Sequence, residues 1–311
     1  MACPFGNAKT GRAAAWALSF YERSKTMAYR LWQPVGEPRA VVQLVHGMAE
    51  HIDRYDRMAR ALTAQGYVVA GRNHRGHGPE AETLGYFADK DGWNALVEDA
   101  HDLSLALKKQ YPGLPFILLG HSMGSFVSRE YALRYGRELS ALVLSGTGYY
   151  SAALCAVAGA LAAVSPQKKP AKLVDKLAFS GSNRAFSPAR TPFDWLSRDE
   201  KEVDAYMADP LCGFVFTGAA FRDFFGGLRA LADESRLTAL PQDLPVYFLA
   251  GDQDPVGQSG SGVKKVAEQL RRAGVRDVTV RLYPGGRHEM FNEINRDEVD
   301  QELAAWLASR V

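Results

Sequence analysis

A chain of 311 residues with nearly half its side chains apolar can bury one large core and is short for two full domains. A formal charge of +2 gives no reason to expect a nucleic acid partner, and the short basic run at 167–172 reads as a solvated loop. The three cysteines, Cys3, Cys155 and Cys212, are odd in number and far apart, which argues against a disulfide framework or zinc spacing and for free thiols in a reducing, cytoplasmic setting.

Near the N-terminus, the apolar patch at 13–18 is too short for a signal-peptide core, and the run at 152–164 is too short to span a bilayer. Two short strands are expected over 17–23 and 27–33. RAVVQLVHG (39–47) reads as a buried strand, followed by an amphipathic helix over 53–65 with Met58 and Leu62 on its apolar side. A strand at 67–73 precedes a long helix whose apolar face carries Trp93, Leu96, Val97, Ala100, Leu103 and Leu107. PFILLG (115–120) is a strand, 123–135 a helix and LSALVLSG (139–146) a strand again.

Strands that are continuous apolar runs, alternating with helices, predict an α/β fold with a mainly parallel central sheet flanked by helices on both faces. The alternation stops over 148–238, which is helical in character and rich in aromatics. It resumes with a strand at 245–254, a helix at 261–273, a strand at 277–285 and a last helix at 297–309. The expected organisation is a core in two parts, 1–147 and 239–311, with 148–238 inserted as a helical cap at the sheet edge where ligand crevices form.

Between the strand at 115–120 and the helix at 123–135 stands Gly120-His121-Ser122-Met123-Gly124, a G-x-S-x-G string. A serine hydroxyl attacks a carbonyl at neutral pH only when a base takes its proton and a third group orients that base. In a strand–turn–helix context the string fits a nucleophile elbow, whose partners follow in the order serine, acid, histidine. His288 is the single histidine downstream. Two acids compete: Asp252, nearest the strand end and suited to forming a turn, and Asp254, further out and better placed to reach a neighbouring loop. Attack also creates an oxyanion, which calls for preorganised donors. The backbone N–H groups of Met123, after the serine, and of Met48, after the strand ending LVHG, are the expected pair.

His46, His51, His74 and His77 form neither an H-E-x-x-H motif nor a set joined by cysteine, so they read as hydrogen-bonding groups around the site rim, with no metal implied. No G-x-G-x-x-G follows a strand, and no cofactor is called for.

HGMAEHIDRY (46–55), NHRGHG (73–78), GHSMG (120–124), GDQDPV (251–256) and the His288 loop together resemble the α/β-hydrolases. More narrowly, the chain resembles the monoacylglycerol lipase and lysophospholipase branch, which overlaps the serine aminopeptidase-like hydrolases. The likeness runs from about residue 40 to the C-terminus and leaves the cap outside. It implies a triad of Ser122, Asp254 and His288, with Met48 and Met123 as oxyanion donors. One departure is NHRGHG, where relatives usually carry Asp at the position of Asn73 or His74.

The expected activity is hydrolysis of a carboxylic ester, first a monoacylglycerol or lysophospholipid of medium to long acyl chain. A small-ester carboxylesterase, an aminopeptidase-type hydrolase and a catalytically dead binding protein are the alternatives. The cap aromatics Phe193, Trp195, Tyr206, Phe214, Phe216, Phe221, Phe224 and Phe225 are expected to divide about equally between the cap's own core and an acyl tunnel or a transient membrane-surface contact. Oligomeric state is left open.

Overall fold

The structure, a computed structural model, describes residues 20–23 and 28–310. Cys3, the patch at 13–18 and the expected strand positions 17–19 and 27 lie outside these. Eight strands form one sheet: β1 (Phe20–Arg23), β2 (Ala28–Trp32), β3 (Ala40–Val45), β4 (Tyr67–Gly71), β5 (Phe116–His121), β6 (Ala141–Ser145), β7 (Val246–Gly251) and β8 (Val278–Tyr283). Their spatial order is β1-β2-β4-β3-β5-β6-β7-β8. Every pairing from β4 to β8 is parallel, and β2 runs antiparallel to both β1 and β4.

Strands β3 to β7 are buried at every position, which explains why they read as unbroken apolar runs: both faces are covered. Apart from His121 and Ser145 at strand ends, the polar exception is Gln43, matched on each amide atom. Its Nε2 donates to Ala100 O at 2.8 Å, and its Oε1 accepts from Ser104 Oγ at 2.8 Å. One face carries Ile117, Leu119, Val143 and Leu249 against helices α1 (Asp56–Thr63) and α9 (Arg296–Ala308). The opposite face carries Leu118, Leu144 and Phe248 against α2 (Gly92–Gln110), α3 (Met123–Tyr135) and α8 (Ser261–Arg272).

The helix expected over 53–65 is shorter. Residues Ile52–Tyr55 form a 3-10 turn, and only Asp56–Thr63 is α-helical. Both flanks of that boundary are tied down, by Tyr55 Oη donating to Glu50 at 2.8 Å and by Trp32 Nε1 donating to Asp56 at 2.9 Å. Other strand ends differ from expectation by a few residues where the chain leaves the sheet for site loops.

Between β6 and β7 lie α4 (Ala152–Ala163), α5 (Lys172–Phe179), α6 (Glu200–Ala208) and α7 (Gly218–Leu231). Ser151, Asp199 and Thr217 cap three of these through side-chain oxygens that accept the N–H of Leu154, Lys201 and Ala220. Phe216, Phe221 and Phe224 of this segment continue the apolar cluster that covers one sheet face.

Candidate active site

The residues singled out by sequence arrive at one end of the sheet. Strands β3, β5, β6, β7 and β8 are consecutive neighbours, and their C-terminal ends lead into Gly47-Met48, Ser122, Gly146, Asp254 and His288. Such an edge is where α/β sheets present ligand crevices.

Ser122 has φ 52° and ψ −121°, a conformation that costs an L-residue of order 1–3 kcal/mol and persists only where the surroundings impose it. They do so through its N–H, which donates to Ser145 O at 2.9 Å, and through the start of α3 directly behind it. Gly124 is required because a Cβ there would run into the carbonyl oxygens of Val45 and His46. A Cβ on Gly47 would sit 3.1 Å from Ser122 Cβ, so the β3 loop passes close over the serine.

His288 Nδ1 lies 3.0 Å from Asp254 Oδ1, with both side chains buried. The contact places the ring proton on Nδ1 and leaves Nε2 as the lone-pair nitrogen of the neutral ring. Burial pulls the His288 pKa down, but the charge and hydrogen bond of Asp254, with Glu289 and Glu50 beyond, outweigh it and leave it raised. Asp252, the competing acid, is spent elsewhere: its Oδ1 accepts the N–H of Gly285 at 2.8 Å and joins the β7 and β8 loops. At the end of β6, Gly146 has φ 59°, and a Cβ there would stand 2.9 Å from His288 Cε1.

Met48 and Met123 line the same cavity as Ser122 and His288. The amides on either side of Met48 are anchored, Gly47 N–H to Glu50 Oε1 at 2.5 Å and Ala49 N–H to His77 Nε2 at 3.2 Å. Ala49 itself has φ 52°, so this loop turns sharply at the point where Met48 faces the cavity.

Glu50 is held by three donors: Gly47 N–H, Tyr55 Oη and Arg54 Nη1. Arg54 also makes a bidentate pair with Glu289 at 2.7 Å, next to His288. The sequence signal of this network is Glu50 and Arg54 within the 46–55 string, but the partner of Arg54, 235 positions away, only the fold reveals. Sequence gives Tyr206 only as aromatic bulk, yet its Oη donates to Ala49 O at 3.0 Å.

The four upstream histidines hold loops together. His46 Nε2 accepts the N–H of His74 at 3.0 Å, and His74 Nε2 donates to His46 O at 3.0 Å. His77 accepts from Ala49 through Nε2 and donates to Arg75 O through Nδ1. Burial drives the pKa of His74 to about 4 and of His77 to about 3, so both rings stay neutral. Asn73, where relatives usually carry an acid, accepts Ile52 N–H through Oδ1 at 2.9 Å. His51 pairs with Asp209 at 2.8 Å, and with Cys212 these are the metal-ligand types that converge among the described residues, within 4.8 Å of one another.

A cavity of about 720 Å³ opens onto Ser122 and His288. Six of the eight cap aromatics line it, Phe216 and Phe221 being the exceptions, rather than the expected half. Tyr206 and Phe224, from the 148–238 segment, are buried in packing and also line the cavity. Among the described residues no helix is long and apolar enough to cross a membrane.

The family model for serine aminopeptidase, S33, matches residues 36–295. A monoacylglycerol lipase of Mycolicibacterium smegmatis is 34% identical over 92% of this chain and 94% of its own. A monoglyceride lipase of Homo sapiens is 28% identical over 90% of this chain and 86% of its own. Among solved structures, a thermostable carboxyl esterase from Bacillus coagulans in complex with glycerol superposes with a TM-score of 0.84 at 33% identity, covering 94% of this chain and 97% of that one. By a match over most of its length and by its sheet, the chain belongs to the α/β-hydrolases of the serine aminopeptidase S33 family.

Proposed function

We propose that the protein hydrolyses carboxylic esters of medium to long acyl chain, monoacylglycerols or lysophospholipids, through an acyl-serine intermediate. The observation that carries this reading is the 720 Å³ cavity, walled by cap aromatics and aliphatics, with Ser122 and His288 on its lining. That volume lies within the range of about 300–1,000 Å³ typical of small-molecule sites. Relatives named as monoacylglycerol lipases and as a probable lysophospholipase point the same way.

Ser122 Oγ attacks the ester carbonyl as its proton passes to His288 Nε2, and Asp254 steadies the imidazolium through Nδ1. The N–H groups of Met48 and Met123 receive the oxyanion. The imidazolium then protonates the departing alcohol, and a water deprotonated by His288 releases the acid from the serine. The cap, 148–238, selects the acyl chain. Its outer apolar residues on α4 and α5 face solvent and bring the cavity mouth to a lipid surface.

A short-chain carboxylesterase is the second reading, favoured by the likeness to the Bacillus coagulans esterase. An aminopeptidase would want a free carboxylate for the substrate amine, and Glu50, the acid on the cavity lining nearest the oxyanion loop, is already matched by three donors. A panel of acylglycerols, lysophospholipids and nitrophenyl esters of graded chain length tests the reading, with Ser122→Ala as the control. Turnover should peak at medium or long chains and vanish in the variant while its melting temperature holds. Activity confined to acetyl and butyryl esters overturns the lipid reading, and wild-type turnover by the variant overturns the nucleophile.

A further inference from the structure

The cap residue Trp195 belongs to a stretch sewn to the His288 loop. His288 N–H donates to Trp195 O at 3.3 Å and Glu289 N–H to Leu196 O at 2.7 Å. Ser197 Oγ donates to Asn292 O at 2.7 Å, Arg287 Nη1 to Ser197 O at 3.0 Å, and Arg198 Nε to buried Glu293 at 2.8 Å. The Trp195 N–H is fixed in turn by Asn183 Oδ1 at 2.9 Å. Held this way, the indole stands with its ring centre 5.0 Å from that of His288, at 39°, and on the cavity lining.

We propose that Trp195 is a positioning residue for His288: it holds the imidazole against Asp254, and its π face stabilises the imidazolium formed when Ser122 gives up its proton. This rests on the assignment of Ser122, Asp254 and His288 made above. The groups facing His288 are Asp254 from the β7 loop, Glu289 beside it, Glu50 from the β3 loop and His121 at the end of β5. Burial and the neighbouring His288 hold His121 at a pKa of about 4, so it adds a neutral ring 4.8 Å away. Glu50 and Glu289 are shared with Arg54, which leaves Asp254 as the carboxylate committed to the ring. On the cap side the charged neighbours of Trp195 are engaged elsewhere, Asp194 by Thr191 and the Arg190 amide, and Arg198 by Glu293. There the indole supplies attraction for a cation without another charge to desolvate, and its 5.0 Å separation is inside the roughly 6 Å reach of a cation–π contact.

The test compares Trp195→Leu, which keeps apolar bulk without a π face, with Trp195→Phe, which keeps a weaker one, on a short soluble nitrophenyl ester. Trp195→Leu is expected to lower kcat about three- to thirtyfold and to move the acid limb of the pH–rate profile down by about 0.4–1.5 pH units, the effect of losing a typical cation–π contact. Trp195→Phe should recover most of both. A ring that merely lines the cavity would change KM and chain-length preference and leave the limb in place. A wild-type kcat and limb in Trp195→Leu, or a folded Trp195→Phe as impaired as the leucine variant, overturns the proposal. Wild-type turnover by Ser122→Ala would instead overturn the nucleophile assignment, whatever Trp195 does.

Discussion

Arg54 clamps Glu289 through two parallel hydrogen bonds of 2.7 Å, with the guanidinium 11% and the carboxylate 5% exposed. The same guanidinium reaches Glu50 at 2.6 Å, so one cation compensates two buried carboxylates from loops at opposite ends of the sequence. Burial alone would push the Glu289 pKa up; Arg54 reverses this and holds it at about 2. Removing Arg54 leaves both acids without their cation. We expect Arg54→Met to lose about 3–5 kcal/mol of stability in urea unfolding, in line with breaking a buried pair by deleting one partner. Arg54→Lys, which cannot make the bidentate contact, should fall between. A loss under about 1 kcal/mol for the methionine variant would mean that water reaches this network.

His288 and three other buried histidines respond to pH in opposite directions. His288 has a raised pKa, so the stability it contributes is full below the unfolded value of about 6.5 and fades as pH rises through the folded one. In the proposed mechanism catalysis needs the neutral ring, so the acid limb of kcat/KM should be centred above 6.5. His74, His77 and His121 are lowered to about 4, 3 and 4, chiefly by burial. Unfolding lets them take up protons, so the stability tied to their neutral forms is present above pH 6.5 and is lost as pH falls toward 4. Each such ring would cost about 3 kcal/mol by pH 4. In His77→Gln the amide oxygen can still accept the Ala49 N–H, and one titrating ring is gone. Its unfolding free energy should then decline less steeply between pH 6.5 and 4, by about 1.4 kcal/mol per pH unit. Parallel slopes for the two proteins would show that His77 is already protonated in the fold.

The sheet was legible because burial on both faces forces a strand such as FILLGH (116–121) to be apolar up to its last residue, a pattern that survives in a single sequence. The strand–turn–helix around Ser122 was legible because a turn squeezed against Val45 and His46 tolerates only glycine two positions after the serine. The placing of Asp254, with Asp252 bonded instead to Gly285, came from loop geometry two residues in length, which spacing alone left open. The Arg54–Glu289 pair and the contact of Trp195 with His288 left no local signal, since each joins residues more than ninety positions apart. Over 148–238 the aromatic content was visible but its direction was not, because rings such as Tyr206 and Phe224 belong to the core and the cavity lining together.

Among the described residues nine large hydrophobic side chains are exposed, and five of them, Leu154, Val157, Val164, Leu173 and Leu177, lie along α4, its C-terminal end and α5. Leu154, Val157 and Leu177 also line the cavity, so the exposed apolar ground surrounds its mouth. Lys169, Lys172 and Lys176 are exposed alongside, a pairing of apolar bodies and cations suited to an anionic lipid surface. Val164 and Leu173 are exposed without lining the cavity, so the double variant Val164→Ser/Leu173→Ser alters the surface and spares the site. Its turnover of a soluble short-chain ester should match wild type. Its binding to phosphatidylcholine–phosphatidylglycerol vesicles should weaken about tenfold, from two partly inserted side chains worth a fraction of their full burial energy each. Raising salt should weaken the wild-type protein further as the lysines are screened. Equal vesicle binding by variant and wild type, or none by either, would overturn a membrane contact at this face, and loss of soluble-ester turnover would mean that this face shapes the cavity as well.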